Sequence, residues 1–225
     1  MAKVHGVAGE WARVKGMVTG LWPLFLGVFV AGFALAATLL GNVAWGLSLF
    51  AVAIAYSCWS LSKGLRHVER FFKGARGEVA IAFVLARLPG GYSVFNGVDI
   101  SDKGGPFRTH DFDHVVLTPT GLVVVETKNW RGRLTFDDGA IQIDGITPQR
   151  PPVAQVAEEA SALSEWLEKN MPEPVQVIPL LCFAGDPLPA DAPAEIGGDR
   201  LCGPDTLVNA IVATAGGDPL PPATR

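Results

Sequence analysis

A stretch of 42 residues near the N-terminus contains no acidic residue, no basic residue and no histidine. It covers residues 21–62 and reads LWPLFLGVFVAGFALAATLLGNVAWGLSLFAVAIAYSCWSLS. A single helix of this length would be roughly 60 Å long, about twice the thickness of the hydrocarbon core of a bilayer. We therefore predict two membrane-spanning helices that form a hairpin, with the turn at Gly41 and Asn42.

The residues that flank this hairpin predict its orientation. Basic residues precede the first span and follow the second, and the turn carries none; they are Lys3, Arg13, Lys15, Lys63, Arg66, Arg70, Lys73 and Arg76. The positive-inside rule then places both termini, and the domain that follows, in the cytoplasm. Trp22 and Trp59 lie near the expected membrane interfaces. A cleaved signal peptide is the rival interpretation of the first span, but a second apolar span follows it at once.

Charge divides the chain into two parts. Residues 1–76 hold eight Lys and Arg against two acidic residues, a net charge of +6, whereas residues 77–225 hold ten against twenty, a net charge of −10. Anionic lipid headgroups explain the basic part. The acidic part disfavours a protein that depends on extensive contacts with nucleic-acid phosphates. The three cysteines have no paired spacing, which excludes a disulfide framework and a zinc ribbon.

The remaining sequence predicts a mixed α/β domain. A helix is expected in GARGEVAIAFVLARLPGG, separated at its glycine from a basic helix, and another in PPVAQVAEEASALSEWLEKN. Strands are expected in YSVFNGVDIS, in the hairpins HDFDHVVLTPTGLVVVETKNW and RLTFDDGAIQIDG, and in VQVIPLLCF. In the last of these, Pro179 favours a sheet edge or an early end of the strand. The predicted parts are an N-terminal tail (1–20), the transmembrane hairpin (21–62), a basic amphipathic linker (63–73), the mixed domain (74–185) and a Pro- and Gly-rich extension with one short helix (186–225).

One predicted strand is apolar throughout and then ends in charge. Residues 122–125 read LVVV, which is typical of a strand buried on both faces, and Glu126, Thr127 and Lys128 follow directly. A buried charge is costly unless it is paired or bound to a metal. The end of this strand therefore calls for a partner.

The turn before this strand predicts what lies beside it. Residues 118–121, TPTG, are typical of a type I turn, with Pro at the second position and Gly at the fourth. Pairing across that turn sets Asp113 opposite Glu126 and Asp111 opposite Lys128. Because directly opposed residues share a face, the four charges are expected to cluster on one face of the sheet.

Two neighbouring carboxylates and an ammonium suit phosphodiester hydrolysis with a divalent metal. Mg²⁺ binds hard oxygen ligands and takes one or two carboxylates with water and phosphate oxygens. We predict Mg²⁺ or Mn²⁺ as the cofactor, with Asp113 and Glu126 as ligands and the backbone carbonyl of Thr127 as a further candidate. Lys128 would be the catalytic ammonium, orienting the attacking water or neutralising the transition state.

Three segments at these spacings resemble a known family. GARGE, FDHVVLTPTGLVVVETKNWRG and PVAQVAEEASALSEWL, over roughly residues 74–185, resemble the nuclease-related domain (NERD), a branch of the PD-(D/E)xK restriction-endonuclease-like superfamily. The resemblance implies an α/β fold with a mixed sheet flanked by helices in the order α-β-β-β-α-β, here preceded by two transmembrane helices. It also implies site roles: Glu78 as an accessory metal carboxylate, Asp113 and Glu126 as metal ligands, Lys128 as catalytic lysine and Gln155 as an active-site helix residue. Phe112 stands where the superfamily pattern has proline.

Structural alternatives accompany these assignments. The charged cluster could be an ion-pair network on a solvated face, Glu78 could complement a helix dipole, and Gln155 could lie on the polar face of its helix. Trp130 with Arg131 and Arg133 suits contact with nucleic acid, but the arginines suit solvation of a strand end equally well; these alternatives are left open.

Two histidines, His110 and His114, have a spacing that suits a metal on a helix. On a strand they are about 13 Å apart, so we expect His114 to be packed or hydrogen-bonded instead.

Three functions are consistent with the sequence. The leading hypothesis is a membrane-anchored, cytoplasm-facing, metal-dependent nuclease that acts on DNA in DNA processing or defence, with DNA and the lipid bilayer as its partners. The second is a non-catalytic nuclease-like module that binds nucleic acid or a protein partner at the membrane, for which Glu126→Ala would leave function intact. A purely structural or lipid-sensing role ranks last, because it leaves the charged strand end unexplained.

Overall fold

The computed structural model describes residues 1–101, 109–137, 139–216 and 220. In these ranges the helices are α1 (Glu10–Leu39), α2 (Val43–Leu85), α3 (Pro152–Asn170) and α4 (Pro204–Thr214). The strands are β1 (Lys3–His5), β2 (Ser93–Ser101), β3 (Thr109–Leu117), β4 (Leu122–Lys128), β5 (Leu134–Asp137), β6 (Ala140–Ile143), β7 (Val177–Phe183), β8 (Glu195–Ile196) and β9 (Asp199–Cys202). They form two compact units: residues 10–75, and residues 1–9 together with 76–225.

Seven strands form one mixed sheet in the order β1-β2-β3-β4-β7-β9-β8. β2, β3 and β4 are antiparallel neighbours, and β4, β7 and β9 run parallel to one another. One apolar cluster packs α2 and α4 against the sheet, and another packs α3 against it; their helical members are Ile81, Leu85, Leu207 and Ile211 in the first and Val156, Leu163 and Leu167 in the second. The predicted mixed sheet flanked by helices is confirmed.

The predicted helix break at Gly74 is wrong, because α2 continues through it to Leu85. Glycine costs a helix interior about 1 kcal/mol relative to alanine, which a long helix can absorb. Gly77 has a packing reason: a Cβ there would lie 2.6 Å from Cβ of Asn129. That glycine allows close approach of the segment after β4, and it does not end the helix.

Segments from the predicted N-terminal tail and from the C-terminal extension join the sheet. In the predicted tail, Lys3–His5 forms an edge strand parallel to β2 and α1 begins at Glu10. In the C-terminal extension, β9 pairs with β7, and the predicted short helix is present as α4. The expectation of an edge position or an early strand end at Pro179 is wrong, because β7 lies between β4 and β9 and continues to Phe183. Its missing N–H is tolerated because pairing with β9 begins only at Leu180.

The unit of residues 10–75 has small side chains inside and large apolar ones outside. The buried residues of α1 are Gly16, Gly20, Gly27, Ala31 and Ala34, and the three glycines face α2. The contact is close enough that a Cβ on Gly64 would lie 2.2 Å from the carbonyl oxygen of Gly20. Both helices are long and apolar enough to cross a membrane, and the turn between them falls at Gly41 and Asn42, as predicted.

Candidate functional site

The turn before β4 fixes the register of the central hairpin. The N–H of Thr118 donates to the carbonyl of Gly121 at 2.9 Å, and the Thr118 hydroxyl accepts the N–H groups of Thr120 and Gly121. Leu117 then pairs with Leu122, as the sequence predicted.

Pairing around β4 changes at the residue where its charges begin. Val123, Val124 and Val125 are fully buried. β4 stays paired with β7 as far as Lys128, whereas its described ladder with β3 ends at His114 and Val125. The strands β3 and β4 therefore part just before Glu126.

The Asp113 side chain reaches across to β4 beyond this point. Its Oδ2 accepts a hydrogen bond from the backbone N–H of Thr127 at 2.8 Å. Gly97, at the matching position of β2, has a φ of 59°. Phe112 and Val115 join the same core cluster although strict alternation would place them on opposite faces. A local twist thus turns the Asp113 carboxylate toward β4.

The same parting of the strands overturns the predicted cross-strand pairing of the charged residues. Asp111 pairs with Asp99 of β2, and Lys128 pairs with Phe183 of β7. The predicted oppositions of Asp113 with Glu126 and of Asp111 with Lys128 are both wrong as backbone pairs, because the described β3–β4 ladder ends at His114 and Val125.

Glu126 and Lys128 form a closed network with helix α3. Lys128 Nζ donates to Glu126 Oε1 at 2.5 Å and to Gln155 Oε1 at 2.8 Å. Gln155 Nε2 donates to the same Glu126 oxygen at 2.6 Å and to Glu159 Oε1 at 2.9 Å. Gln155 and Glu159 are one helical turn apart, so they present their side chains on one face of α3.

Glu159 is the site residue that sequence reasoning missed. It is 6% exposed, and its Oε2 has no hydrogen-bond partner among the described residues. A signal was present: Glu159 follows Gln155 by four residues and lies in the apolar stripe of the helix that includes Val156, Ala160 and Leu163. A carboxylate in that stripe indicates a buried polar site.

Four carboxylates influence one another here. Burial raises the pKa of Asp113 well above its usual value, and the negative charges of Glu126 and then Glu78 raise it further. The hydrogen bond from the Thr127 N–H acts in the opposite direction and lowers this pKa. Burial, followed by the charge of Glu126, raises the pKa of Glu159 to about 8. Lys128 is the ammonium in the network, so the cluster carries excess negative charge that a cation or protons must offset.

The donor set fits a hard divalent cation. It consists of carboxylate oxygens. In addition, two buried oxygens, Thr127 Oγ1 and Glu159 Oε2, have no hydrogen-bond partner among the described residues. No group of three or more His, Cys, Asp or Glu side chains in the described ranges is arranged to hold an ion. Mg²⁺ typically needs only one or two carboxylates, which Asp113 and Glu126 can provide.

The loop after β4 is tied down rather than loose. The N–H of Gly132 donates to Asp186 Oδ2 at 2.9 Å, and the N–H of Arg133 donates to Asp144 Oδ1 at 2.8 Å. The half-buried Trp130 ring packs edge-on against Phe183, with centroids 5.8 Å apart. This ring is therefore partly used in packing, whereas the Arg131 and Arg133 side chains are exposed.

His114 is a packed residue, as predicted. It is fully buried, its Nδ1 lies 2.7 Å from Asn96 Oδ1, and Asn96 Nδ2 donates to the carbonyl of His5 at 3.3 Å. Burial lowers the pKa of His114 to about 3, so the ring is neutral at physiological pH. The side chain of His110 lies outside the described residues.

Comparisons with known proteins identify the family of this domain. The family model of the nuclease-related domain matches residues 73–184. An uncharacterized protein of Bacillus anthracis is 38% identical over 113 residues, which are 48% of this chain and 52% of that protein, so the chain spans about half the length of this relative. The crystal structure of protein VC1899 from Vibrio cholerae aligns with 92% of this chain and 53% of its own, at a TM-score of 0.31 and 13% identity. Through residues 73–184, the chain belongs to the nuclease-related domain family.

Proposed function

We propose that this chain is a membrane-anchored nuclease that hydrolyses phosphodiester bonds of DNA with Mg²⁺ or Mn²⁺, in DNA processing or defence. One observation carries the proposal: Lys128 Nζ lies 2.5 Å from Glu126 Oε1 and 2.8 Å from Gln155 Oε1, at the strand end next to Asp113. An ammonium held between two acceptors beside a set of carboxylates is an arrangement suited to the anionic transition state of phosphodiester hydrolysis.

Asp113 and Glu126 would hold the cation, with Glu78 as an accessory carboxylate. When bound, the cation would lower the pKa of a water molecule and stabilise the negative charge that develops on the phosphate. The Thr127 N–H fixes one Asp113 oxygen, which leaves the other to face a ligand. The carbonyl of Thr127 remains a candidate ligand.

Lys128 is held in place before substrate arrives. Its side chain is 15% exposed, and two hydrogen bonds fix the ammonium. Positive charge fixed in advance needs no reorganisation as negative charge develops on the phosphate oxygens. Gln155 orients it, because the Gln155 amide accepts from Lys128 only while its Nε2 points toward Glu126 and Glu159.

Substrate contact is assigned to the loop after β4. Arg131 and Arg133 are exposed on a backbone segment that Asp144 and Asp186 anchor, and guanidinium groups bind phosphates in a bidentate manner. Trp130 contributes an aromatic edge beside them, within the limits of its packing on Phe183.

Membrane anchoring is supported by the arrangement of residues 10–75. The buried positions are glycine, alanine and serine, while exposed positions include Phe25, Phe29 and Phe33. A water-soluble helix pair buries its large apolar side chains, whereas packing in lipid favours small residues between helices. We infer that α1 and α2 cross the bilayer as a hairpin and that the domain faces the cytoplasm, as the flanking charges predict.

The test is cleavage by the full chain purified in mild detergent. Single-stranded, duplex and branched DNA and an RNA are each incubated with Mg²⁺, with Mn²⁺ and with a chelator. We expect metal-dependent cleavage that Lys128→Ala and Asp113→Asn abolish and that Lys169→Ala, an exposed lysine at the end of α3, leaves unchanged. A folded chain that cuts none of these substrates contradicts the nuclease proposal.

A non-catalytic module is the second candidate, and the same network favours it. Glu126 Oε1 already receives hydrogen bonds from Lys128 and Gln155, so the site is internally satisfied there without an ion. In that case Glu126→Ala retains binding of nucleic acid or of a protein partner. A calorimetric titration that finds no Mg²⁺ or Mn²⁺ binding to the folded chain would favour this candidate.

A further inference from the structure

A stripe of basic side chains follows the second apolar span along α2. Lys63, Arg66, Arg70 and Lys73 are spaced three, four and three residues apart, which places them on one face of the helix. Lys63, Arg66 and Arg70 are exposed and, with Glu69, line an open groove of about 430 Å³.

Packing within the hairpin turns this stripe outward. Gly64 and Val68 of α2 lie against Gly20 of α1, and Phe71 lies against Gly16. His67 Nε2 is 2.9 Å from the Thr19 hydroxyl, which itself donates to the Lys15 carbonyl. One face of α2 therefore packs against α1, and the basic residues of α2 lie on a different face.

The stripe begins where the exposed apolar surface ends. Trp59 is 58% exposed, and Lys63 Nζ lies 5.6 Å from the centroid of its ring. Tyr56 stands 6.0 Å from the same ring. Aromatic rings of this kind lie at the level of lipid headgroups, and a lysine beside them extends its ammonium toward the phosphates.

We propose that Lys63, Arg66 and Arg70 form a binding site for the phosphate of an anionic phospholipid headgroup, with Trp59 against the upper acyl chain. This inference rests on the proposed insertion of the hairpin. Arginine and lysine supply the positive charge and the hydrogen-bond donors that a phosphate requires. Continuity with the apolar surface favours a lipid over nucleic acid, because a duplex cannot follow the stripe into the hydrocarbon.

Bound lipid can be measured on the full chain in bilayers. Brominated phosphatidylglycerol or brominated phosphatidylcholine is mixed into vesicles of unlabelled phosphatidylcholine, and quenching of the Trp59 signal is taken as the difference between the wild type and Trp59→Phe. Phosphatidylglycerol should quench more strongly at equal mole fraction. Arg66→Gln with Arg70→Gln should reduce that preference by about fivefold or more.

A matched control removes the same charge elsewhere. Arg87→Gln with Arg150→Gln alters two exposed arginines of the other unit and should leave the preference unchanged. Equal quenching by the two lipids in an inserted protein overturns the headgroup site and leaves membrane anchoring intact. A chain that fails to float with either vesicle overturns both. If the Arg66 and Arg70 pair of substitutions weakens DNA binding in detergent but not the lipid preference, the stripe belongs to nucleic acid and the proposal is wrong.

Discussion

Replacing Glu159 with glutamine should remove a pH-dependent loss of stability. Burial and the charge of Glu126 raise the Glu159 pKa from 4.5 to about 8 in the folded chain. The unfolded chain ionises this group near 4.5, so between these pH values the folded state binds more protons. The free energy of unfolding therefore falls as pH rises, and the loss is complete above the folded pKa.

The size of the effect follows from the shift. One linked proton gives a slope of about 1.4 kcal/mol per pH unit, and between pH 5 and pH 8 the loss amounts to about 3.5 kcal/mol. Glu159→Gln keeps an acceptor for Gln155 Nε2 but cannot ionise. The variant should therefore gain stability relative to the wild type by about that amount as pH rises from 5 to 8.

Urea unfolding of the full chain in mild detergent, followed by tryptophan fluorescence without divalent cations, measures this difference. Glu158→Gln is the matched control, because that neighbour is 69% exposed and pairs with Arg150 at the surface. A difference between Glu159→Gln and the wild type that stays constant from pH 5 to pH 8 refutes the reasoning. Adding Mg²⁺ should flatten the wild-type slope, because a bound cation favours ionised carboxylates; this reports metal binding without cleavage.

Three further substitutions probe the scaffold. Gly77→Ala should destabilise the domain by about 1–3 kcal/mol, because the new Cβ meets Asn129. Gly74→Ala should stabilise its helix by up to about 1 kcal/mol, because a Cβ there meets nothing within 4 Å. Thermal unfolding of both variants measures the sign of each change. His114 has a folded pKa of about 3 against 6.5, so the unfolded chain alone takes up a proton as pH falls below 6.5 and stability drops by about 1.4 kcal/mol per unit. His114→Gln should remove this acid slope, and an unchanged slope in urea unfolding between pH 6.5 and pH 4 contradicts the assignment.

Local sequence rules predicted the parts of the fold that local chemistry determines. The turn sequence before β4 predicted the hairpin register, and the uncharged stretch predicted the two apolar helices. The break expected at Gly74 failed because one glycine costs a helix interior only about 1 kcal/mol relative to alanine. The contact that explains Gly77, with Asn129, is distant in sequence and so is invisible to a local rule. The edge expected for Pro179 failed for a related reason: whether its absent N–H matters depends on where β9 begins to pair.

The site was predictable in composition but not in geometry. Alternation and register predicted that Asp113, Glu126 and Lys128 lie close together. A regular β-ladder, however, would have paired Asp113 directly with Glu126. The twist at Gly97 shifts the alternation and turns the Asp113 carboxylate to the Thr127 N–H, which no two-residue period encodes. Glu159 was missed because the pattern of one helix can indicate that a residue is buried but not which strand residues lie beside it.

Residues 77–225 carry a net charge of −10, so the proposed action on a polyanion requires that negative charge at the site be offset first. Lys128 donates hydrogen bonds to Glu126 and Gln155, and there are more carboxylates at the site than this one ammonium can neutralise. Phosphate can approach only after that excess charge is offset, so the affinity for DNA should rise with divalent cation even for a Lys128→Ala protein that cannot cut. A binding titration of this variant in Mg²⁺, in Ca²⁺ and in chelator tests the point. Affinity that is equal in all three would mean that the carboxylates do not face the substrate, and the site would then be structural.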